Sequence, residues 1–361
     1  MEHNTQHELC PMLVSDFDFD LPADLIAQEA APRGLSRLLV LDRATGRTSS
    51  ATIADLPTLL RDGDLLVVND TRVFPARLLG HRVPSGGAVE CLLLADEGDP
   101  GATTWQALMH PGQKLKPGAI VRFEGPAGVL MGEVLERHFQ GRRTIRLWSE
   151  SGAPVTALID ALGHTPLPPY ITRDDTAADR ERYQTIFARA RGSVAAPTAG
   201  LHFTSDLLDR LRAAGVDRVA ITLHVGYGTF KPVKADLVED HIVDPEPYTI
   251  SAEAADRIKC ARAEGRRVIA VGTTTTRALE DAARRSGGRV APGSAMAATF
   301  IHPGFDFHVI DGLVTNFHLP KSSLLMLVSA FAGTERVLAA YREAVAQRFR
   351  FYSYGDAMLI C

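Results

Sequence analysis

Two glycine-and-histidine passages in the middle of the chain combine residue types that proton chemistry requires. They are APTAGLHFT (196–204) and LHVGYGTFKP (223–232), which contribute His202 and His224. Glycine lets the backbone approach a ligand closely, and a histidine beside it can titrate near neutral pH. A single passage of this kind is compatible with an ordinary turn. Two so close together predict loops that converge on one site.

A third passage, VGTTTTRALE (271–280), predicts a buried strand, a tight turn at Gly272 and a helix whose start the threonines cap. Free backbone N–H groups at such a start favour an anion or a polar ligand, such as a carboxylate or a ribose. The alternative is a plain strand-to-helix turn. Arg277 and Glu280, one turn further on, are compatible with a simple intrahelical pair.

Three histidines share a setting beside a glycine or proline loop: His202, His224 and His318, the last within TNFHLPKSS (315–323). A lone histidine is more often structural, but three in similar settings favour at least one that transfers protons. HExxH spacing is absent, and so is any CxxC pair, so we assign no metal. The sequence also lacks GxSxG, GxGxxG and GxxxxGK[ST], which disfavours a serine hydrolase, a dinucleotide fold and an NTPase.

A polar cluster, Asn69 to Arg72, follows a predicted buried strand. It is either an Asx-capped turn or a site at the strand's end, where α/β proteins place their ligands. Near the C-terminus, RFRFYSYGDAMLI (348–360) interleaves arginines with aromatic residues. Such residues can neutralise phosphates and stack on bases, and the alternative is an amphipathic strand with solvated arginines.

Composition narrows the class of protein. With 361 residues, of which 45% are hydrophobic, the chain can bury a large core and form more than one domain. A formal net charge of -4 excludes a generally basic nucleic-acid coat but not a local basic patch. The four cysteines are scattered and the first ten residues lack the order of a signal peptide, so we expect a cytoplasmic protein with reduced thiols. The longest apolar run, 324–332, is too short to span a bilayer and predicts a buried helix.

The elements predicted around these motifs form an α/β fold with an insertion. The first part of the chain is predicted to form a hairpin within 36–53 and a strand over 64–69. The last part is predicted to alternate strands and helices, including a helix over 179–190 and a strand over 299–304. Between them, short alternating runs separated by Gly and Pro turns predict a small antiparallel β-barrel. We therefore predict an α/β main domain, a mixed sheet with flanking helices, over 1–74 and 151–361, and an inserted β-barrel domain over 75–150.

Long strings in this chain resemble one family, the S-adenosylmethionine:tRNA ribosyltransferase-isomerases of queuosine biosynthesis (the QueA family). The resemblance spans nearly the whole chain and is carried by FDFDLP (17–22), GDLLVVNDTRVFPARL (63–78), APTAGLHFT, HVGYGTFKPV (224–233), VGTTTTRALE, FIHPGFDF (300–307), VTNFHLPKSSLLMLVSAFAG (314–333) and FYSYGDAMLI (351–360). It implies an α/β main domain with an inserted barrel.

The resemblance also implies a reaction. Enzymes of this family join the ribosyl unit of S-adenosylmethionine to the aminomethyl group of a 7-deazaguanine at the tRNA wobble position. Epoxyqueuosine forms, and adenine and methionine leave, so S-adenosylmethionine is a consumed substrate and no cofactor is implied. The sulfonium acidifies the adjacent ribose methylene, so a base can remove a proton there. A site for this chemistry needs a group that titrates near pH 7, and the site must also exclude water.

On this basis we expect His202 or His224 to transfer the proton, with Asp70 and Arg72 positioning ribose or base. We expect the protein to be a monomer that acts on the anticodon loop of tRNA and does not bind a membrane. Asp356 is a further candidate for a site residue. The predicted catalytic residues are His202, His224 and Asp70; the predicted S-adenosylmethionine contacts are Arg72, Thr198, Gly200, Gly226, Gly228, Thr273, Thr274, Arg277 and His318; the predicted tRNA contacts are Lys114, Lys116, Arg348, Arg350 and Tyr354, with Arg142 and Arg143 as further barrel candidates.

The chain departs from the family pattern at two positions. Asp244 stands where the family tends to carry a second histidine, and Ala297 stands where a threonine is expected. Two other functions stay open at this point: an S-adenosylmethionine-dependent RNA methyltransferase and a non-catalytic RNA-binding protein built around the barrel. The spent substrate separates them, because a methyltransferase releases S-adenosylhomocysteine and a binding protein consumes nothing.

Overall fold

A mixed sheet and a closed barrel organise this computed structural model, which describes residues 11–96, 103–230 and 233–361. The predictions for the first ten residues, including Cys10, and for Lys231 and Pro232 lie outside the described residues.

The strands are β1 (Arg37–Leu41), β2 (Thr48–Thr52), β3 (Leu65–Asn69), β4 (Thr71–Val73), β5 (Arg77–Val83), β6 (Ala88–Asp96), β7 (Thr104–His110), β8 (Ile120–Gly125), β9 (Gly128–Arg137), β10 (Arg142–Ser149), β11 (Ala190–Ser193), β12 (Asp217–Leu223), β13 (Glu246–Ile250), β14 (Val268–Val271), β15 (Gly293–Ala297), β16 (Gly312–Asn316) and β17 (Ala357–Ile360). The helices are α1 (Leu56–Leu59), α2 (Val155–Leu162), α3 (Asp179–Arg182), α4 (Ser205–Ala213), α5 (Ala252–Ala263), α6 (Thr273–Arg285), α7 (Ser323–Ala332) and α8 (Thr334–Ala346).

The large sheet places four parallel strands at its centre. Its strand order is β15-β13-β12-β3-β14-β16-β17-β1-β2, and β12, β3, β14 and β16 run parallel. Strands β3, β14 and β16 are buried along their whole length, as their apolar runs require when both faces of a sheet are covered. The carboxyl ends of the four strands therefore meet at one edge, where open α/β sheets bind their ligands.

The barrel consists of strands β5 to β10, and each one pairs antiparallel with its neighbours. Alternate residues point inward, as in β7, where Trp105, Ala107 and Met109 are buried. Helix α2 follows the barrel and adds Leu158 and Ile159 to its core. The predicted fold class, a mixed sheet with helices and an antiparallel barrel, is confirmed. The domain boundaries at 74/75 and 150/151 stay our proposal.

Two predicted elements are wrong. The predicted helix over 179–190 stops at Arg182, because the side chain of Gln184 hydrogen-bonds both backbone groups of Val73 and draws the chain alongside β4. The predicted strand within 299–304 is irregular, and the strand lies earlier, at β15. Here the hydroxyl of Thr299 donates to Asp281 at 2.7 Å, and Pro303 has no N–H to offer a ladder.

The hairpin β1–β2, the strand β3 and the buried helix α7 lie where the sequence predicts them. Among the described residues, no single helix is long and apolar enough to cross a membrane. Helices α7 and α8 reach that length and composition only as a pair bent by 115°.

Candidate active site

A cleft opens at the edge where the parallel strands end, and its empty volume, including the open mouth, is about 530 Å³. We call it the strand-edge cleft. Parts of all four predicted passages meet here, together with the segment that precedes β17. Its lining residues are Tyr170, 195–199, Val225, Thr229, 272–274, 315–318, Leu324, Tyr352 and Ser353.

The N-terminus of α6 faces this cleft without a side-chain cap. Gly272 adopts a φ of 94° at the N-cap position, which a residue with a Cβ rarely adopts. The prediction that the threonines cap the helix is wrong, because the hydroxyls of Thr275 and Thr276 donate back to carbonyls of the preceding turn. Thr273 and Thr274 line the cleft, so the first-turn N–H groups are open to an anionic ligand.

Two buried polar atoms of the lining have no hydrogen-bond partner among the described residues: the Oγ1 of Thr274 and the Oδ1 of Asn316. A buried group without a partner costs about 1–3 kcal/mol, so both atoms favour a polar ligand. Asn316 is a site residue that the sequence reasoning missed. Its place at the end of β16, two residues before His318, was the available signal.

His202 is buried behind the cleft wall and does not line it. Its Nδ1 lies 2.8 Å from the hydroxyl of Ser36, and its Nε2 lies 3.2 Å from the Nδ2 of Asn316. Burial lowers its pKa to about 4, so the imidazole is neutral at pH 7. Both ring nitrogens are occupied, which suits a residue that orients Asn316.

His224 has a different environment. It is half-buried just after β12, and its Nδ1 lies 2.7 Å from the hydroxyl of Thr71. Burial lowers its pKa, and the nearby carboxylate of Asp70 opposes that shift. Asp70 itself is buried and accepts from Thr222 at 2.6 Å and from Arg189 at 2.8 Å. The ends of β3 and β12 thus hold an imidazole, a hydroxyl and a carboxylate together.

His318 lines the cleft but is also buried. Its Nε2 lies 3.0 Å from the hydroxyl of Thr315, and its backbone N–H donates to the hydroxyl of Tyr341. Burial lowers its pKa to about 3, so it is a neutral polar group of the wall.

Three protein acceptors engage two nitrogens of the Arg277 guanidinium. Its guanidinium donates to Glu246 at 3.0 Å and to the carbonyl oxygens of Asp244 and Ala297, both at 2.6 Å. The intrahelical pair with Glu280 is also wrong, because that carboxylate accepts three backbone N–H groups from 308–310. Arg277 therefore fixes the segment around Asp244 and the end of β15 at Ala297, both beside the site.

Glu246 connects Arg277 to the loop that lines the cleft. Its Oε1 accepts the N–H of Gly226 at 2.7 Å and the hydroxyl of Thr229 at 3.1 Å, and it is 2% exposed. Burial raises its pKa, against the effect of Arg277. Because Val225 and Thr229 line the cleft, the pair of Glu246 and Arg277 holds one wall in place.

Two predicted ligand-contact glycines are required by internal packing. A Cβ at Gly200 would lie 2.8 Å from the Cγ2 of Thr185, and a Cβ at Gly228 would lie 2.7 Å from a carboxylate oxygen of Asp244. Thr198, by contrast, does line the cleft. The glycine-rich loops thus bring backbone close to neighbouring protein segments.

Phe349, Phe351 and Tyr354 are part of the core, while Tyr352 lines the strand-edge cleft, so the burial of Tyr354 is inconsistent with stacking on a base. Tyr354 is 3% exposed, and its hydroxyl donates to Asp179 at 2.9 Å. The carboxylate of Asp356 accepts the backbone N–H groups of Arg37 and Arg350, which gives it a structural role. Arg348 is exposed and pairs with Asp24, and the side chain of Arg350 approaches Asp356 at 3.9 Å.

The barrel candidates divide. Lys114 and Lys116 are exposed. Arg142 pairs with Asp244 at 2.8 Å and so links the barrel to the wall of the site. Arg143 is buried and donates to three backbone carbonyls, which is inconsistent with a phosphate contact.

Arg72 lies apart from the strand-edge cleft. Its side chain is exposed on the opposite face of β4 from Thr71 and lines a second cleft. Positioning ribose or base in the strand-edge cleft is therefore inconsistent with its place. Over the described ranges, no group of three or more His, Cys, Asp or Glu side chains is arranged to hold a metal ion.

Comparisons with known proteins identify the same family over nearly the whole chain. A family model described as "Queuosine biosynthesis protein" matches residues 14–360. Proteins named S-adenosylmethionine:tRNA ribosyltransferase-isomerase are similar to it: one from Anaeromyxobacter sp. (strain Fw109-5) is 53% identical over 97% of this chain and 99% of its own. Another, from Desulfitobacterium hafniense (strain DSM 10664 / DCB-2), is 49% identical over 97% of this chain and 100% of its own.

Among solved structures, the S-adenosylmethionine tRNA ribosyltransferase from Thermotoga maritima matches with a TM-score of 0.54 and 36% identity, over 96% of this chain and 100% of that one. Matches of this identity and length extend through the barrel and the sheet alike. The chain therefore belongs to the queuosine biosynthesis family, with the S-adenosylmethionine:tRNA ribosyltransferase-isomerases as its relatives.

Proposed function

We propose that this protein transfers and isomerises the ribosyl unit of S-adenosylmethionine onto 7-aminomethyl-7-deazaguanine at the wobble position of tRNA. The products are epoxyqueuosine in the tRNA, adenine and methionine. The observation that carries the proposal is the near full-length identity, about half of all positions, to enzymes named for this transfer. The strand-edge cleft, with unpaired polar atoms on Thr274 and Asn316, supports it as the substrate site.

The methionine end of the substrate binds at the N-terminus of α6. A carboxylate there accepts first-turn N–H groups and meets the positive end of the helix dipole, worth about 0.3–1 kcal/mol or more when partly buried. Thr273 and Thr274 lie at this point, and the uncapped start leaves its N–H groups available. This assignment replaces Arg277, whose guanidinium is engaged with Glu246.

His224 transfers the proton. Reaction requires removal of a proton beside the sulfonium, protonation of the departing adenine and a neutral amine on the base. His224 is half-buried, close to the cleft residue Val225, and has the Asp70 carboxylate nearby to stabilise its charged form. His202 is a positioning residue, because its contacts run to Ser36 and Asn316 inside the protein.

The remaining assignments follow from the reaction. S-adenosylmethionine is consumed as a substrate, and we propose no resident cofactor or metal. The partner is the anticodon loop of tRNA, and we propose that the protein acts as a monomer in the cytoplasm.

The experiment is a product analysis with the full-length protein, S-adenosylmethionine and a tRNA that carries 7-aminomethyl-7-deazaguanine. We expect adenine and methionine in equal amounts, with a matching gain of epoxyqueuosine in the digested tRNA. The same tRNA with guanine at the wobble position is the control and should give neither product. S-adenosylhomocysteine instead of adenine would indicate a methyltransferase, and no consumption would indicate a non-catalytic RNA-binding protein.

A further inference from the structure

Two arginines stand side by side on the outer face of the short parallel pair β4–β11. The register pairs Arg191 with Arg72, and both side chains are exposed. Like charges directly opposite each other on one face of a sheet are destabilising. The side chain of Arg72 makes no hydrogen bond or ion pair with any residue that the structure describes. An unpaired cation beside a second one favours an anion from outside the chain.

These arginines line a cleft of about 770 Å³ of empty volume, which we call the arginine cleft; its charged residues are Arg72, Arg180, Arg191 and Asp160. Asp160 pairs with Arg191 at 2.6 Å and is 51% exposed, so it offsets only one of the three positive charges. Arg180 donates to the backbone carbonyls of Asp160 and Gly163. The floor is partly aromatic, and the Arg191 guanidinium lies 4.9 Å from the centroid of the Phe74 ring.

The positive surface continues beyond this cleft toward the proposed active site. Arg189, whose side chain is 82% exposed, reaches back to the buried carboxylate of Asp70. Strand β4 connects the two regions, because Thr71 points inward to His224 while Arg72 points outward to the arginine cleft. The arginine cleft and His224 therefore lie on opposite faces of the same short strand.

We propose that the arginine cleft binds backbone phosphates of the tRNA substrate, an inference that rests on the proposed function. Guanidinium groups match phosphate geometry with paired hydrogen bonds and stay charged at all relevant pH values. Several exposed guanidiniums spread along an open cleft suit successive phosphates of one strand. This cleft would therefore make the phosphate contacts that the sequence predicted for the C-terminal arginines.

The test measures binding of an end-labelled, unmodified tRNA transcript to the full-length protein from about 50 to about 200 mM salt. For the double variant Arg72→Gln/Arg191→Gln we expect about tenfold weaker binding per arginine at about 50 mM salt, and about three- to fourfold at about 200 mM. The slope of log Kd against log salt should fall by about 1.4–1.8. The single variant Arg72→Gln breaks no side-chain hydrogen bond or ion pair among the described residues; it should bind about tenfold more weakly at about 50 mM salt, with a slope lower by about 0.7–0.9.

Two controls fix the interpretation. Arg289 is exposed on the turn after α6, about 20 Å of helix away from the strand-edge cleft, and Arg289→Gln should bind as the wild type does. Asp160→Asn removes the acidic group that the described lining of the cleft contains and should tighten binding about two- to fivefold.

Wild-type affinity and wild-type salt slope in both arginine variants would overturn the inference, as would weaker binding of Asp160→Asn. Adenine release by the wild type, measured in the same preparation, separates the two proposals. If the wild type releases adenine and the arginine variants bind normally, only the phosphate site is wrong. If the wild type consumes no S-adenosylmethionine, the proposed function is wrong, whatever the variants bind.

Discussion

Replacing Glu246 with glutamine tests how the wall of the strand-edge cleft is held. The substitution keeps the shape of the side chain but removes its charge and turns one acceptor into a donor. Glu246 receives hydrogen bonds on both oxygens, from Arg277 on one and from Gly226 and Thr229 on the other. A glutamine can satisfy only one of these two sides.

The cost follows from either orientation of the amide. If its NH2 faces Arg277, the buried guanidinium, whose Nε is already without a partner among the described residues, loses its carboxylate. Removing one partner of a buried pair costs about 3–5 kcal/mol, and the two carbonyls that remain on Arg277 favour the lower end. If the amide turns around, the Gly226 N–H loses its acceptor at about 1–3 kcal/mol, while the Thr229 hydroxyl can rotate and accept from the amide NH2. Because the amide takes the cheaper orientation, we expect Glu246→Gln to lower the free energy of unfolding by about 2–3 kcal/mol.

Urea unfolding followed by circular dichroism measures this change. Tryptophan fluorescence is less suitable, because Trp105 and Trp148 both lie in the barrel. Glu264→Gln is the matched control, since Glu264 pairs with Arg266 at 2.6 Å but is 60% exposed, and it should cost under about 1 kcal/mol. A loss below about 1 kcal/mol for Glu246→Gln, or equal losses for the two variants, would refute the reasoning.

Three further outcomes are expected. His224→Ala should lower kcat for adenine release by about 10²–10⁴-fold, and a value within a few-fold of wild type would exclude it as the proton-transfer group. Thr274→Val should raise KM for S-adenosylmethionine by up to about tenfold, while Thr58→Val, at an exposed position, should leave KM unchanged. Burial lowers the pKa of His202 to about 4 in the folded protein, against 6.5 in the unfolded chain. As the pH falls, the unfolded chain therefore binds a proton at His202 before the folded protein does. Stability should therefore decrease by up to about 3 kcal/mol between about pH 6.5 and 4, and urea titrations should show a shallower decrease for His202→Asn.

Much of the fold could be predicted because its signals are local. The apolar runs of β3 and β14, the alternating strands of the barrel and the turn at Gly272 each depend on a few adjacent residues. The similar residue types of the passages predicted their convergence, and three of them, 223–232, 271–280 and 315–323, follow parallel strands that end at a common edge. Thr273 lies at the cleft for this reason, whereas Thr198 follows the separate pair β4–β11.

The rest depended on partners that are distant in the sequence. Arg277 and Tyr354 have the right chemistry for ligand contacts, but Glu246 and Asp179 engage them inside the protein. Whether a side chain meets a substrate or another side chain is set by packing, which spacing alone does not give. The same limitation hid Asn316, since its unpaired oxygen is visible only once the neighbours of β16 are known.

The position of β17 has a consequence for how this protein is made. Leu38 of β1 pairs with Ala357 of β17, and in the part of the chain that the structure describes β17 is the strand that joins β1 and β2 to the rest of the sheet. During synthesis the hairpin of β1 and β2 lacks this neighbouring strand until β17 has left the ribosome. Such long-range closure slows folding and leaves one edge of the hairpin unpaired in the meantime.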